Sequence, residues 1–283
     1  MTTSTATAPH AACDTCALNS RALVQKLGFD VGDADYIVAL AGNPNTGKST
    51  VFNALTGLRQ HVGNWTGKTV TRAEGGYTYG DHKYKIVDLP GTYSLLSTSA
   101  DEQAARNFVL FGKPDVTVIV VDATHLERNL NLALQILEIT DKVVVGLNLV
   151  DEAKRHGIEI DERHLSRELG VPVIPMAARR GQGIPELLAS IESVATGVYK
   201  TRPHRIQHRD PRLKEAVASV TEAIRREFPS LPNAEWVALR LIDGDPSIEQ
   251  AIRDRSLGEL QQESAIMLPV NVAQVPSAAL AVS

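Results

Sequence analysis

The chain has 283 residues, of which 43% are hydrophobic, and a formal net charge of −4 at pH 7. These values predict a packed globular protein with one large domain and a smaller one. The lack of a basic excess argues against a nucleic-acid partner. No run of about 18 apolar residues occurs, so we expect no segment to span a bilayer. The first residues have neither the basic start nor the apolar stretch of a secretory signal, which predicts a cytoplasmic location.

Residues 1–35 are predicted to be a flexible N-terminal extension. Within it, "HAACDTC" brings together His10, Cys13 and Cys16, three side chains of the type that binds Zn²⁺ or Fe²⁺. No fourth ligand is evident. The alternative interpretation is a pair of reduced thiols without a metal, because two cysteines are too few for a disulfide framework.

From Tyr36 to about Thr196, short apolar runs alternate with helical patterns, which is typical of an α/β domain with a mostly parallel sheet. We predict a domain over residues 36–197. The turn signal "GDH" predicts that its second and third strands form an antiparallel hairpin. Six strands are predicted, at residues 36–42, 70–79, 84–91, 116–124, 142–151 and 171–178.

The segment "GNPNTGKST" follows the first strand, precedes the helical "STVFNALTG", and fits the pattern G-x-x-x-x-G-K-[ST]. In this context backbone N–H groups bind phosphates, Lys48 reaches the terminal phosphates and the Ser49 hydroxyl binds Mg²⁺. A chance glycine turn before a lysine is the alternative, and the flanking strand and helix disfavour it. The predicted nucleotide-binding residues here are Gly42, Asn43, Pro44, Asn45, Thr46, Gly47, Lys48, Ser49 and Thr50.

A second motif, "KIVDLPGTY", places Asp88 at the end of a buried strand and Gly91 three residues later. The carboxylate can hold the Mg²⁺ shell, and the Gly91 N–H can contact a γ-phosphate. Thr92 stands where Ras-like enzymes have a glutamine that orients water, so we expect slow hydrolysis. By itself the D-x-x-G pattern more often marks a turn after a strand.

Between these motifs lies "GLRQHVGNWTGKTVTR", which is polar and rich in glycine. We predict a mobile switch without a core element. One of its threonines should complete the Mg²⁺ shell, with Thr69 the first choice and Thr66 the second.

The third motif, "VGLNLVDEAKR", puts Asn148 and Asp151 just past a buried strand in N-x-x-D spacing. There the Asp151 carboxylate can accept two N–H bonds from the edge of guanine, which predicts GTP rather than ATP. Leu149 replaces the lysine whose stem commonly covers the base, so we expect modest affinity and quick exchange. The later segment "PMAARRGQGI" should bring Ala177 and Ala178 beside the base. A helix start with an N-cap is the alternative for this motif.

After Gly197 the basic stretch "GVYKTRPHRIQHR" reads as a linker, and a helical unit follows over residues 198–265. Asp210 as N-cap and Pro211 at the first helical position predict where its first helix begins. Residues 266–283 are predicted to be a disordered or truncated tail.

The segments "GNPNTGKSTVFNALTG", "QHVGNWTGKTV", "VDLPGTYSL" and "VVDATHLERNLNLALQILE" together resemble the N-terminal GTPase module of the FeoB ferrous iron transporter family. The resemblance implies a Ras-like P-loop G domain with a six-stranded, mostly parallel sheet. A small all-α helical domain that stabilises the GDP-bound state would follow. It also implies a transmembrane permease for Fe²⁺ as partner, small accessory Feo proteins, homo-oligomers, and a place at the inner face of the cell membrane.

The resemblance further implies residue roles. It assigns K⁺ to Asn45, and this cation would compensate for the missing glutamine by neutralising developing charge. It assigns Mg²⁺ to Ser49, Thr69 and Asp88, and catalysis to Lys48, Thr69, Asn45 and Gly91. The chain departs from the family in the residues before Tyr36 and in stopping before the first expected membrane helix, which indicates a truncated or separately encoded module.

Two alternatives remain at this stage. One is a soluble K⁺-dependent GTPase of ribosome assembly or RNA modification, which the absence of a basic face disfavours. The other is a non-catalytic adaptor that responds to nucleotide, or to metal through Cys13 and Cys16.

Overall fold

The computed structural model describes residues 24, 31–57, 60–64, 71–96, 99–205, 210–229, 231 and 233–254. Its centre is a seven-stranded sheet with the order β2-β3-β4-β1-β5-β6-β7. The strands are β1 (Tyr36–Gly42), β2 (Gln60–Asn64), β3 (Thr71–Tyr79), β4 (His82–Asp88), β5 (Val116–Asp122), β6 (Val143–Asn148) and β7 (Val173–Pro175).

The six predicted strands are all present, and the sheet is mostly parallel as predicted. Strand β1 runs parallel to β4 and β5, and β5, β6 and β7 continue in the same direction. Strands β3 and β4 form the predicted antiparallel hairpin, with Tyr79 paired to His82. Gly80 in its turn has φ of 57°, a left-handed conformation that glycine adopts without strain.

A seventh strand, β2, extends the antiparallel edge of the sheet. It pairs with β3 and lies inside the segment that we predicted to be a switch without a core element. An edge strand forms ladder hydrogen bonds on one side only, so it needs no continuous apolar pattern. For this reason the polar, glycine-rich composition concealed it.

The helices cover both faces of the sheet and continue beyond it. Ser99 caps the second helix by accepting from Glu102 N, and Asp210 caps the seventh by accepting from Arg212 N, as predicted for that helix. None of the described helices is long and apolar enough to cross a membrane. The helices are α1 (Lys48–Thr56), α2 (Ala100–Asn107), α3 (Leu126–Ile139), α4 (Val150–Arg155), α5 (Glu162–Leu169), α6 (Ile184–Ala195), α7 (Pro211–Glu227), α8 (Ala234–Ile242) and α9 (Pro246–Arg253). A π-helical turn, Phe108–Gly112, extends α2.

Alternation along β1 sends its side chains to two apolar cores. Ile37 and Ala39 face the core that contains α3, whereas Val38 and Leu40 face α1 and α6. The first core also contains side chains of the helical unit and of the segment before β1. These are Val31, Ala34, Val217, Ile224, Trp236, Val237 and Ile248.

A buried ion pair joins α2 to the N-terminus of α9. Arg106 and Asp245 approach to 3.2 Å, and their side chains are 5% and 8% exposed. Arg106 also donates to Ser247 Oγ at 2.9 Å. Burial opposes ionisation of Asp245, but hydrogen bonds from Ser247 and the nearby Arg106 guanidinium outweigh it and hold the pKa of this carboxyl below its usual value.

Candidate functional site

The first motif forms the loop between β1 and α1. Asn45 and Gly47 have φ of 66° and 82°, so both residues adopt the left-handed backbone conformation. Asparagine tolerates this conformation better than most residues, and glycine adopts it freely. The buried Asn43 anchors the loop, because its carbonyl accepts a hydrogen bond of 3.0 Å from Thr46 Oγ1.

Both glycines of the motif lie where a side chain has no room. A Cβ at Gly42 would be 2.6 Å from the carbonyl oxygen of Val120, and a Cβ at Gly47 would be 2.3 Å from Asn148 Nδ2. The G-x-x-x-x-G spacing therefore has a steric cause in this chain. The backbone of the loop packs directly against β5 and the end of β6.

The loop ends at the N-terminus of α1, whose first residues are Lys48, Ser49 and Thr50. The first N–H groups of a helix lack intrahelical acceptors and carry partial positive charge, so they favour an anion. Ser49 and Thr50 are exposed here. Within the described part of the chain, Asn43 Nδ2 is a buried donor without a hydrogen-bond partner. A phosphate fits this cradle.

Lys48 and Asp88 bring the first two motifs into direct contact. The Lys48 ammonium donates to the Asp88 carboxylate, and it also donates to the carbonyl of Leu89 at 2.7 Å. Burial raises the pKa of Asp88, and the positive charge of Lys48 acts in the opposite direction. The ammonium and the carboxylate therefore lie at one edge of the sheet, as the motif order predicts.

The loop after Asp88 lies against the first loop. Leu89 N donates to Leu40 O at 2.9 Å, and Thr92 N donates to Gly42 O at 3.4 Å. A Cβ at Gly91 would be 3.4 Å from Pro44 Cα, so these two backbones are neighbours. The Gly91 N–H is thus close to the loop that we predict to bind phosphate.

Thr92 does not present its hydroxyl for positioning a water molecule. The residue is buried, its Oγ1 accepts from Ser94 N at 3.0 Å, and it donates to Ser94 O. These local bonds occupy the hydroxyl within its own turn. This arrangement agrees with the expectation that Thr92 does not replace the glutamine that orients water in Ras-like enzymes.

Asn148 connects two loops through its side chain. It is buried at 1% exposure, Nδ2 donates to Thr46 O at 2.9 Å, and Oδ1 accepts from Ala178 N at 3.0 Å. Both ends of its amide are therefore used within the protein. The N-x-x-D motif predicted that Asn148 lies near the base. In the structure its side chain braces the loop that we predict to bind phosphate against the loop of Ala177 and Ala178.

A cavity of about 390 Å³ lies beside this brace. Asp151, in the first turn of α4, lies in its wall, and Leu149 just before has φ of 63°. Arg180 also belongs to this site, because its Nε is 3.3 Å from Asp151 Oδ2. No motif indicated this contact, since "AARRG" has two adjacent arginines and no spacing that singles one out. The cavity is lined by Leu149, Asp151, Glu152, Arg155, Ala177, Ala178, Arg179 and Arg180.

Several predicted site residues lie outside the described part of the chain. These are Thr69 and Thr66 of the switch, and His10, Cys13 and Cys16 of the extension. Among the residues that are described, no group of three or more His, Cys, Asp or Glu side chains could hold a metal ion.

The predicted site residues that are described lie around the carboxyl ends of β1, β4 and β6. They are Asn45, Lys48, Ser49, Asp88, Gly91, Asn148 and Asp151.

Comparison with known proteins gives a consistent result. The family model described as "Ferrous iron transport protein B" matches residues 36–191. The chain is 44% identical over 212 residues to the Fe(2+) transporter FeoB of Salmonella choleraesuis, and 44% identical over 214 residues to that of Escherichia coli K12. These matches cover 74% of this chain and 27% of each relative, so the chain spans about a quarter of their length.

Solved structures are also similar to the chain. The cytosolic domain of L. pneumophila FeoB is 38% identical with a TM-score of 0.70, covering 81% of this chain and 90% of that one. The cytosolic domain of T. maritima FeoB in a GDP form is 38% identical with a TM-score of 0.70, covering 82% and 89%. The GMPPNP form of the T. maritima domain is 37% identical with a TM-score of 0.70, and the match covers 82% of this chain and 90% of that one. These likenesses support the Ras-like P-loop fold.

Proposed function

Because the chain belongs to the ferrous iron transport protein B family, we propose that it binds GTP and GDP, hydrolyses GTP slowly, and thereby controls an Fe²⁺ permease. The main support is the arrangement of the three motifs. The Asn148 amide connects the phosphate loop at Thr46 to the loop of Ala178, which lines the cavity beside Asp151. The groups that we propose for phosphate and for base are therefore adjacent.

The nucleotide would extend from the N-terminus of α1 to the cavity beside Asp151. Backbone N–H groups of the loop and Lys48 would bind its phosphates, and the Asp151 carboxylate would accept two N–H bonds from guanine. In the structure Asp151 Oδ2 pairs with Arg180 Nε at 3.3 Å, so guanine would have to share or displace this contact. Leu149, Ala177 and Ala178 would contact the base.

Ser49 and Asp88 fit a Mg²⁺ site, with Thr69 as the proposed third residue. A hydroxyl at the helix N-terminus and a carboxylate at the end of β4 are hard oxygen donors of the kind that Mg²⁺ prefers. When bound, the ion would neutralise charge on the phosphate oxygens. Lys48, which contacts Asp88, would add a second positive charge at the same place.

Asn45 is our proposed K⁺ ligand. It is exposed at the tip of the phosphate loop, so its amide oxygen is available to a cation beside the phosphates. Such a cation would stabilise charge that develops during hydrolysis. This role matters here because the hydroxyl of Thr92 is used within its own turn.

The Gly91 N–H is our proposed sensor of the γ-phosphate. It belongs to a loop that lies against Pro44, so loss of the phosphate would release that loop. We propose that the resulting movement acts on a permease at the inner face of the cell membrane. Accessory Feo proteins and homo-oligomers are further proposed partners.

The first experiment measures GTP hydrolysis by the chain in K⁺ and in Na⁺ buffers, with ATP as the control nucleotide. We expect K⁺ to accelerate GTP turnover, Asn45→Ala to abolish that gain, and ATP to be a poor substrate. Equal rates in both cations would contradict the K⁺ site, and equal use of ATP would contradict the role of Asp151. The coupling of GTP hydrolysis to transport is tested by measuring Fe²⁺ uptake in cells. The chain is joined to the permease of a relative, and Lys48→Ala should abolish uptake.

A further inference from the structure

Helix α3 contacts the loop that follows Gly91 through one side-chain oxygen. Gln135 Oε1 accepts a hydrogen bond from Leu95 N at 2.7 Å and another from Ser94 Oγ at 3.2 Å. One acceptor therefore binds a backbone donor and a side-chain donor of consecutive residues. This contact lies outside the proposed binding residues, and the sequence motifs gave no sign of it.

A second contact two turns earlier on α3 supports the same loop. The guanidinium carbon of Arg128 lies 4.1 Å from the centre of the Tyr93 ring, which is a cation–π distance. Arg128 and Gln135 are seven residues apart, so they share one face of the helix. The loop is further fixed by Leu95, whose side chain is 1% exposed in the core.

The loop is also connected to the phosphate-binding side. Thr92 Oγ1 accepts from Ser94 N at 3.0 Å, and Thr92 N donates to Gly42 O at 3.4 Å. A short chain of contacts thus runs from Gln135 through Ser94 and Thr92 to Gly42. Gly91 directly precedes Thr92 in the chain and lies beside Pro44.

We propose that Gln135 is a positioning residue for GTP hydrolysis, acting by holding the loop of residues 92–95 so that the Gly91 N–H faces the γ-phosphate. This inference rests on the proposed function and adds a residue to it. Helix α3 begins next to the end of β5 and packs against the core under β1, so it is a firm support. Gln135 touches neither the phosphate loop nor the cavity beside Asp151, so its loss should leave GDP binding intact.

The acceptor role of Gln135 can be tested with two substitutions of similar size. Gln135→Met removes the acceptor, and we expect kcat for GTP to fall about tenfold and GMPPNP to bind about tenfold more weakly, with GDP affinity unchanged. Gln135→Glu keeps an oxygen for both donors, so it should restore kcat and the GMPPNP-to-GDP affinity ratio. Asn131→Ala is the matched control, because Asn131 Oδ1 meets only the other end of the amide, at 3.4 Å.

The outcomes separate this inference from the proposed function. If the parent chain hydrolyses GTP and Gln135→Met leaves both kcat and the affinity ratio unchanged, the positioning role is wrong. If Gln135→Met lowers the affinities for GDP and GMPPNP equally and also lowers the melting temperature, the residue is merely structural and the inference is also overturned. If the parent chain binds no guanine nucleotide, the proposed function itself fails. Should Gln135→Met not fold, Ser94→Ala removes one of the two donors and should lower kcat in the same direction.

Discussion

Asn148 and Thr46, 102 positions apart in the chain, are joined by a hydrogen bond of 2.9 Å from a buried side-chain amide to a backbone carbonyl. The same amide accepts from Ala178 N, so three segments meet at one residue. A buried amide with both ends engaged fixes the spacing between those segments. In this protein the segments are those that we propose to contact phosphate and base.

Replacing Asn148 should weaken both nucleotides. In Asn148→Ala, Thr46 O and Ala178 N lose a partner, which should reduce the free energy of unfolding by about 1–3 kcal/mol. GDP and GTP affinity should fall together by at least about tenfold, because the two loops lose their common support. Chemical denaturation and fluorescent-nucleotide titration measure these effects. A fall in GTP affinity alone would contradict the bracing role.

The steric fit of the phosphate loop predicts a difference between two glycines. Gly47→Ala places a Cβ 2.3 Å from Asn148 Nδ2 at φ of 82°, whereas Gly57→Ala at φ of 59° meets nothing within 4 Å. Both changes cost about 1 kcal/mol for the left-handed backbone, and only Gly47→Ala adds a clash that displaces Asn148. We therefore expect a larger loss of stability and of GDP affinity for Gly47→Ala. Equal losses in thermal melts and titrations would show that the close contact is unimportant.

Asp151 should determine the base. In Asp151→Asn one carboxylate oxygen becomes an amide donor, which no longer matches the two N–H groups of guanine but matches the carbonyl of xanthine. We expect GTP affinity to fall about a hundredfold and xanthosine triphosphate to become the better ligand. Competition binding with both nucleotides measures this exchange. Asp141→Asn, at an exposed aspartate that pairs with Arg205, is the control and should change neither affinity.

The Arg106–Asp245 pair should contribute to stability. Asp245→Asn keeps an oxygen for the helix cap at Ser247 but leaves Arg106 as a buried, uncompensated charge. We expect a loss of about 3 kcal/mol in the free energy of unfolding at pH 7, measured with urea. Asp243→Asn removes an exposed carboxylate that pairs with Arg240 and should cost less than about 1 kcal/mol.

The same pair predicts how that loss changes with pH. The pKa of Asp245 is lowered in the folded protein, so its stabilisation is present above the ordinary aspartate pKa of about 3.9 and disappears as pH falls through the lower folded value. The stability difference between the parent and Asp245→Asn should therefore be constant near neutrality and shrink below about pH 4. A difference that grows on acidification would contradict this assignment.

Local sequence patterns were sufficient to predict six of the seven strands and most of the helices, and to select the residues proposed for the candidate site. Buried parallel strands consist of continuous apolar runs, and the glycines and Lys48 of the first motif have few alternatives at their spacing. Asp88 is the last residue of β4, and Asp151 lies three residues after the end of β6. Because the carboxyl ends of parallel strands meet at one edge, the proximity of Asp88 to Lys48 could be expected.

Contacts between distant segments depended on the tertiary structure. Strand β2 could not be recognised because an edge strand needs no apolar pattern, and the brace made by Asn148 requires knowledge of where Thr46 and Ala178 lie. The contact of Gln135 with Leu95 joins a helix to a loop 40 positions away. The sequence by itself determined which residues we propose to carry the chemistry, since that choice depends on residue type and local spacing. Only the folded chain decided which side chains hold those residues in place, because hydrogen bonds and packing between distant segments leave no periodic signal in the sequence.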